Sequence, residues 1–134
     1  MEAEQAAYWL DDPAAHTYVA TVDDEVAGVY IVHPNKTGRG SHVGHCAYMV
    51  DRKFRGHGLG RKLCEHSLVT AKQLGFVSVQ FNLVVSSNIA AVKSWQKCGF
   101  DIVGTLPRAY RHKDLGLVDA HVMYRLLDDI SVPT

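Results

Sequence analysis

The 134-residue chain has no excess of charge, because fourteen Lys and Arg balance fourteen Asp and Glu. A neutral chain has no global field drawing it to nucleic acid or to a membrane surface, so neither is expected as a partner. It also lacks a long apolar run: none nears the roughly 18–20 residues that cross a bilayer, and no charged-then-apolar leader opens it. Cysteine is scarce. Cys46, Cys64 and Cys98 stand in apolar segments without CxxC spacing. An odd number of thiols in core-type segments argues for reduced cysteines and a cytoplasmic protein. Histidine is abundant, with eight residues, yet no HxxxH pair has an acidic ligand nearby, so no metal is expected. A length of 134 residues with 47% hydrophobic content suffices for one domain, 1–134, around a single core.

Hydrophobic patterning predicts the order α-β-β-β-α-β-α-β-β, an α/β (α+β) chain with an antiparallel meander before its crossover helices. A short helix over 3–10 ends at Pro13. Strands follow over 17–22 and 26–32, turned by Asp23-Asp24, and a third over 42–50. An amphipathic helix spans 59–74 and stops at Gly75; a β-rich run covers 76–85. Asn88 offers the N-cap of a second helix, 89–98, ended by Gly99. A strand over 100–106 is expected to stop at Pro107, and a polar loop, 108–117, to lie over a cleft before a last strand, 118–127. The β-loop-helix-β order predicts that strands 42–50 and 76–85 run parallel and splay at their C-terminal ends.

The stretch Val50-Asp51-Arg52-Lys53-Phe54-Arg55-Gly56-His57-Gly58-Leu59-Gly60 joins a strand to a helix. A glycine-rich turn at a helix start presents outward-facing amides and partial positive charge to an anion. Arg52, Lys53, Arg55, Arg61 and Lys62 add local charge to an otherwise neutral chain. The nucleotide P-loop is excluded, because Arg61-Lys62-Leu63 follows Gly60 where Lys-Ser or Lys-Thr is needed. The dinucleotide fingerprint fails on glycine spacing and on the meander that precedes the loop.

Arg55-Gly56-His57-Gly58-Leu59-Gly60 resembles the pyrophosphate loop of the GNAT N-acetyltransferases, [RQ]-x-x-G-x-[GA]. Asn88-Ile89-Ala90-Ala91-Val92-Lys93-Ser94-Trp95-Gln96-Lys97-Cys98-Gly99-Phe100 is similar to the second family signature, N-x-x-A-x-x-x-[YW]-x-x-x-G-F. Both occur in the right order on the right elements, and the likeness covers roughly residues 16–127. It implies the GNAT fold, a mixed and mostly antiparallel sheet with splayed parallel central strands. It also implies acetyl-CoA as co-substrate and no metal. Backbone groups of Tyr48, Met49 and Val50 would meet the pantetheine arm. Arg55 and the amides of Gly56, His57, Gly58, Leu59, Gly60, Arg61 and Lys62 would hold the pyrophosphate, with Asn88 and Trp95 beside the arm. The implied reaction is transfer of acetyl to a small-molecule amine or amino acid. The alternatives are a protein lysine or N-terminus as acceptor, and a non-catalytic acyl-CoA-binding module.

Two departures from the family pattern matter. Trp95 stands where members often carry Tyr, and an indole N–H cannot protonate a leaving thiolate. Only a short helix precedes Tyr18, where the family usually has a strand and one or two helices. That implies a truncated form or a site completed by a partner, such as a second copy in a homodimer. Phe81-Asn82-Leu83-Val84 ahead of Asn88 is similar to acetyltransferases acting on small amino acids such as proline analogues. Strand alternation groups Asn82 with Gln80 and Val84, opposite Phe81, Leu83 and Val85. Asn82 is therefore expected to face the splay and orient substrate or thioester. Tyr124 is a catalytic candidate on the acceptor side, with Tyr110 and Asp119 behind it. His45 and Tyr48, three apart, should point to opposite faces of a regular strand, so only one should meet substrate unless a bulge intervenes.

Overall fold

A computed structural model describes residues 14–133. The helix expected over 3–10 lies outside the described residues. The described strands are β1 (His16–Val22), β2 (Glu25–Pro34), β3 (Val43–Val50), β4 (Ser78–Val85), β5 (Asp101–His112) and β6 (Gly116–Leu126); the helices are α1 (Leu59–Gln73) and α2 (Ile89–Lys97). One six-stranded sheet has the order β1-β2-β3-β4-β6-β5. Among the described strands only β3 and β4 pair in parallel; every other neighbouring pair is antiparallel.

Local chemistry explains the first hairpin. Asp23 and Asp24 take φ of 50° and 68°, a left-handed pair that matches the twist of a two-residue hairpin and that Asp tolerates. Along β2, Tyr30 and Val32 enter the main core; along β3, Cys46 joins them with Tyr48 packed alongside. Val79, Phe81 and Met123 extend this layer across the sheet. Leu63, Cys64, Leu68 and Ala71 of α1 and Val92 of α2 close over it in one cluster, so both helices cover the same face. Crossovers of the usual right-handed sense that progress in one direction across a sheet put their helices on one face.

Two expectations fail. Pro107 does not stop a strand: β5 runs through it to His112, and β6 begins at Gly116. β5 is an edge strand, and its register with β6 shifts between Leu106 and Tyr110, so no ladder bond needs the N–H that proline lacks. Arg108 takes φ of 52° at this irregularity, and its amide donates to Asp119 Oδ1 at 3.0 Å. The expected ten-residue loop is thus a hairpin tightened at its turn by His112 Nδ1, which accepts from the amides of Asp114 and Leu115 at 3.0 and 3.1 Å. The second failure is in β4. Its register with β6 shifts between Phe81 and Val84, so alternation is lost: Val84 is buried with Phe81, while Asn82 and Leu83 are both exposed.

Candidate active site

The site begins where a ladder ends. β3 and β4 share two residue pairs, Val43 with Ser78 and Gly44 with Val79, and then diverge. Beyond them the facing edges of the two strands have no strand partner. Backbone N–H and C=O groups left this way must find other partners, and an extended polar ligand can supply them. The gap opens into a cleft of 490 Å³ whose walls include His45, Tyr48, Phe81, Asn88, Ala91 and Trp95.

Each wall is built by its element. Tyr48, Phe81 and Trp95 pack as an aromatic corner with ring centroids 5.0–5.9 Å apart. Ser67 Oγ donates to the Cys64 carbonyl at 2.6 Å, so it accepts the Tyr48 hydroxyl proton. Burial holds the Tyr48 phenol well above its usual range and pushes the Cys46 thiol up to about 12, leaving both groups neutral. Asn88 caps α2, its side-chain oxygen accepting from Ala91 N at 3.2 Å.

At the end of β3 the chain enters the glycine loop. Gly56 and Gly58 have φ of 84° and 76°, and a Cβ at either, or at Gly60, would meet no atom within 4 Å. Gly58 is the N-cap of α1; it offers no side-chain cap, and the first turn holds no acidic residue. The first amides of α1 are therefore open to an external acceptor, the arrangement a phosphate needs. The surrounding charge is less free than the sequence implied. Lys53 pairs with Glu25 at 2.7 Å and Arg61 with Glu65 at 3.0 Å, both exposed. Arg55 donates to the Val50 carbonyl at 3.4 Å.

With a splayed parallel pair leading to an open helix N-terminus, the sequence comparison decides the lineage. The family model described as the Acetyltransferase (GNAT) family matches residues 1–100. The chain belongs to the GNAT acetyltransferase family. It is similar to the N-acetyltransferase aca1 of Schizosaccharomyces pombe, 34% identical over 113 residues that cover 82% of this chain and 54% of that protein. The chain thus spans about half the length of that curated relative. It is also similar to the L-amino acid N-acetyltransferase AaaT of Escherichia coli, 28% identical over 116 residues, 87% of this chain and 71% of that one. A solved GCN5-related N-acetyltransferase from Kribbella flavida is 41% identical, with a TM-score of 0.86 over 94% of this chain and 77% of its own.

Within this GNAT domain, Tyr48, Asn88 and Trp95 come together on the cleft. Met49 and Val50 lie at the far end of β3, where it feeds the loop. Leu59 turns its side chain to the core, leaving its amide to the loop, while His57 and Lys62 border an adjacent hollow of 350 Å³. Asn82 and Tyr124 do not join this group. Asn82 is exposed: its amide donates to Asn35 Oδ1 at 2.7 Å, its oxygen accepts from Gln80 at 3.1 Å, and it is absent from the cleft walls. Asn82 shares the Gln80 side of β4, opposite Phe81, and Phe81 is the one that lines the cleft. Tyr124 donates its hydroxyl proton to Ser78 Oγ at 2.7 Å, a bond that secures β6 to β4 away from the cleft. Tyr110 and Asp119 belong to the β5–β6 hairpin, with Asp119 committed to the Arg108 amide.

The residue that sequence reasoning left undecided is His45. It and Tyr48 both line the cleft, which runs along His45, Cys46, Ala47 and Tyr48 at the edge of β3. His45 sits opposite His33 in the β2–β3 register, and their Nδ1 and Nε2 atoms are 3.1 Å apart. Strand parity puts both on the face away from Tyr30, Val32 and Cys46, but parity alone carries no register.

Proposed function

We propose that this chain is an acetyl-CoA-dependent N-acetyltransferase whose acceptor is the amine of a small molecule, an amino acid in the first instance. The observation that carries the reading is the two-pair ladder between β3 and β4, which opens onto a cleft, on a strand whose chain runs on into the Gly56 and Gly58 turn. The fit to acetyl-CoA rests on three features. The α1 amides and the two positive-φ glycines suit the pyrophosphate. The unpaired edges of β3 and β4 suit the amide-bearing pantetheine arm. The aromatic corner of Tyr48, Phe81 and Trp95 supplies an apolar wall beside it. In this reading Arg55, His57, Arg61 and Lys62 contribute charge and amides around the phosphates, and Met49 and Val50 contribute backbone along the arm. Likeness to an L-amino acid N-acetyltransferase supports the acceptor class.

Bound acetyl-CoA would supply an activated acyl carbon. The protein's own work is then to hold that carbon in a water-poor gap, to bring a neutral amine within attacking distance and to remove a proton. The test is calorimetry with CoA together with a thiol-release assay over a panel of amino acids, other amines and a lysine-bearing peptide. Micromolar CoA binding with thiol release on amino acids is the expected outcome. Release on the peptide alone would move the acceptor to protein, and CoA binding with no release on any amine would leave a binding module.

A further inference from the structure

Given the acetyl-transfer reading above, we propose that His45 is the catalytic residue that takes the proton from the acceptor nitrogen, and that His33 is the positioning residue that fixes its tautomer and carries the proton onward.

The argument starts from hydrogen-bond valence. His33 Nδ1 lies 2.9 Å from the carbonyl oxygen of Pro34. A carbonyl only accepts, so His33 Nδ1 carries the hydrogen and, in the neutral ring, His33 Nε2 carries the lone pair. His45 Nδ1 lies 3.1 Å from that Nε2 and must donate to it. The remaining nitrogen of His45, Nε2, is then a bare lone pair on a residue that lines the cleft. The order carboxamide-type oxygen, imidazole, imidazole directs basicity to the one atom of the pair that is free, as second partners of a histidine generally do.

The surroundings leave His45 without a rival. Among the described residues lining the cleft none is acidic. The two other titratable groups there, Cys46 and Tyr48, are held neutral by burial, and the Tyr48 hydroxyl donates its hydrogen bond to Ser67. The imidazole is itself half-buried, and that burial, reinforced by His33, lowers its pKa to about 4, so the base form is fully present at neutral pH. A base that weak does not store a proton, and it need not: the proton entering at Nε2 is matched by release of the Nδ1 proton to His33 Nε2. His33 is half-buried and can return it to water. The location is suitable as well. Gly44 is the last β3 residue paired with β4, so His45 is the first residue of the splay, where the acyl carbon would lie.

The step balances. The acceptor nitrogen's lone pair forms the N–C bond, and the C–S bond breaks with its electron pair leaving on the CoA sulfur. One nitrogen proton passes to His45 Nε2 while the His45 Nδ1 proton passes to His33. The released proton reaches solvent, and the thiolate takes one back from solvent. No oxidant, metal or further reactant is required.

Nitrogen-15 NMR of the full chain tests the geometry without reference to activity. The expected spectrum shows His45 neutral at pH 7 with hydrogen on Nδ1, and His33 also protonated on Nδ1; hydrogen on His45 Nε2 would overturn the proposal. Kinetics test the chemistry. His45→Gln should lower kcat about 10²-fold or more, keep the CoA dissociation constant within about threefold, and regain activity with added imidazole. His33→Gln keeps an acceptor for His45 Nδ1 but cannot carry a proton, so it should retain the His45 tautomer and lose about tenfold in kcat. Full activity in His45→Gln would refute the catalytic assignment, and full activity in His33→Gln would refute the relay. Both results leave the acetyltransferase reading standing. Wild-type protein that binds CoA and acetylates no amine would instead remove that reading, and the proton-transfer role with it.

Discussion

Gly58 holds a φ of 76° with open space around its absent Cβ. An Asp side chain there would not collide with the fold, although the left-handed backbone would cost roughly 1–2 kcal/mol. Its carboxylate would instead project beside the first amides of α1, where the proposal puts a phosphate. Gly58→Asp is therefore expected to stay folded and to lose at least about tenfold in acetyl-CoA affinity, since like charges replace a favourable helix-end interaction. Calorimetry decides it, and unchanged affinity would mean that the pyrophosphate lies elsewhere. Trp95 makes the complementary case. Its ring is 5.1 Å from Tyr48 and 5.0 Å from Phe81, a packing position, and its indole is no acid. Trp95→Phe should raise KM for acetyl-CoA several-fold while kcat falls less than about tenfold. A hundredfold loss of kcat in a folded variant, the scale of a lost general acid, would contradict this.

Among the elements, α2 links stability to the cleft through one residue. Asn88 accepts from Ala91 N at 3.2 Å and also forms part of the cleft wall. Asn88→Ala should cost about 1 kcal/mol in urea unfolding, as loss of an N-cap does, and should weaken CoA binding beyond that effect. A variant destabilised by this amount but binding CoA normally would assign Asn88 to capping alone. β4 and β5 show how a single irregularity redirects an element. The shift after Phe81 turns Val84 to the buried side with Phe81, and the shift around Pro107 lets a strand continue through a proline. Both irregularities are faults in pairing with β6, a strand far away in sequence from β4.

At the scale of the whole molecule, His45 couples the sheet to pH. Its folded pKa is depressed to about 4 from 6.5 by burial and by His33. Above pH 6.5 the ring is neutral in both folded and unfolded chains, and stability is undiminished. Below it the unfolded chain binds a proton that the folded chain resists, so stability falls as pH drops from 6.5 toward 4. The full shift corresponds to about 3 kcal/mol. Urea midpoints between pH 7 and 4 should decline with this slope in the wild type and less steeply in His45→Gln. Identical slopes would show that the ring is not held neutral by the fold.

The family, the element order and the two signature stretches were legible in the sequence because they depend on near neighbours. Glycines at 56, 58 and 60 precede a helix with apolar residues at three- and four-residue steps, and Asn88 precedes another. The parallel pairing of β3 and β4 also followed from connectivity, since a single crossover helix joins them. Tertiary structure alone decided which side chains meet in the gap. Asn82 and Tyr124 were misplaced because alternation along one strand does not say which partners a side chain meets: Asn82 bonds Asn35 and Gln80, and Tyr124 bonds Ser78. The His33–His45 contact was invisible for the same reason: residues twelve apart meet only when a hairpin register sets them opposite, and that register follows from the packing of Tyr30, Val32 and Cys46 under α1.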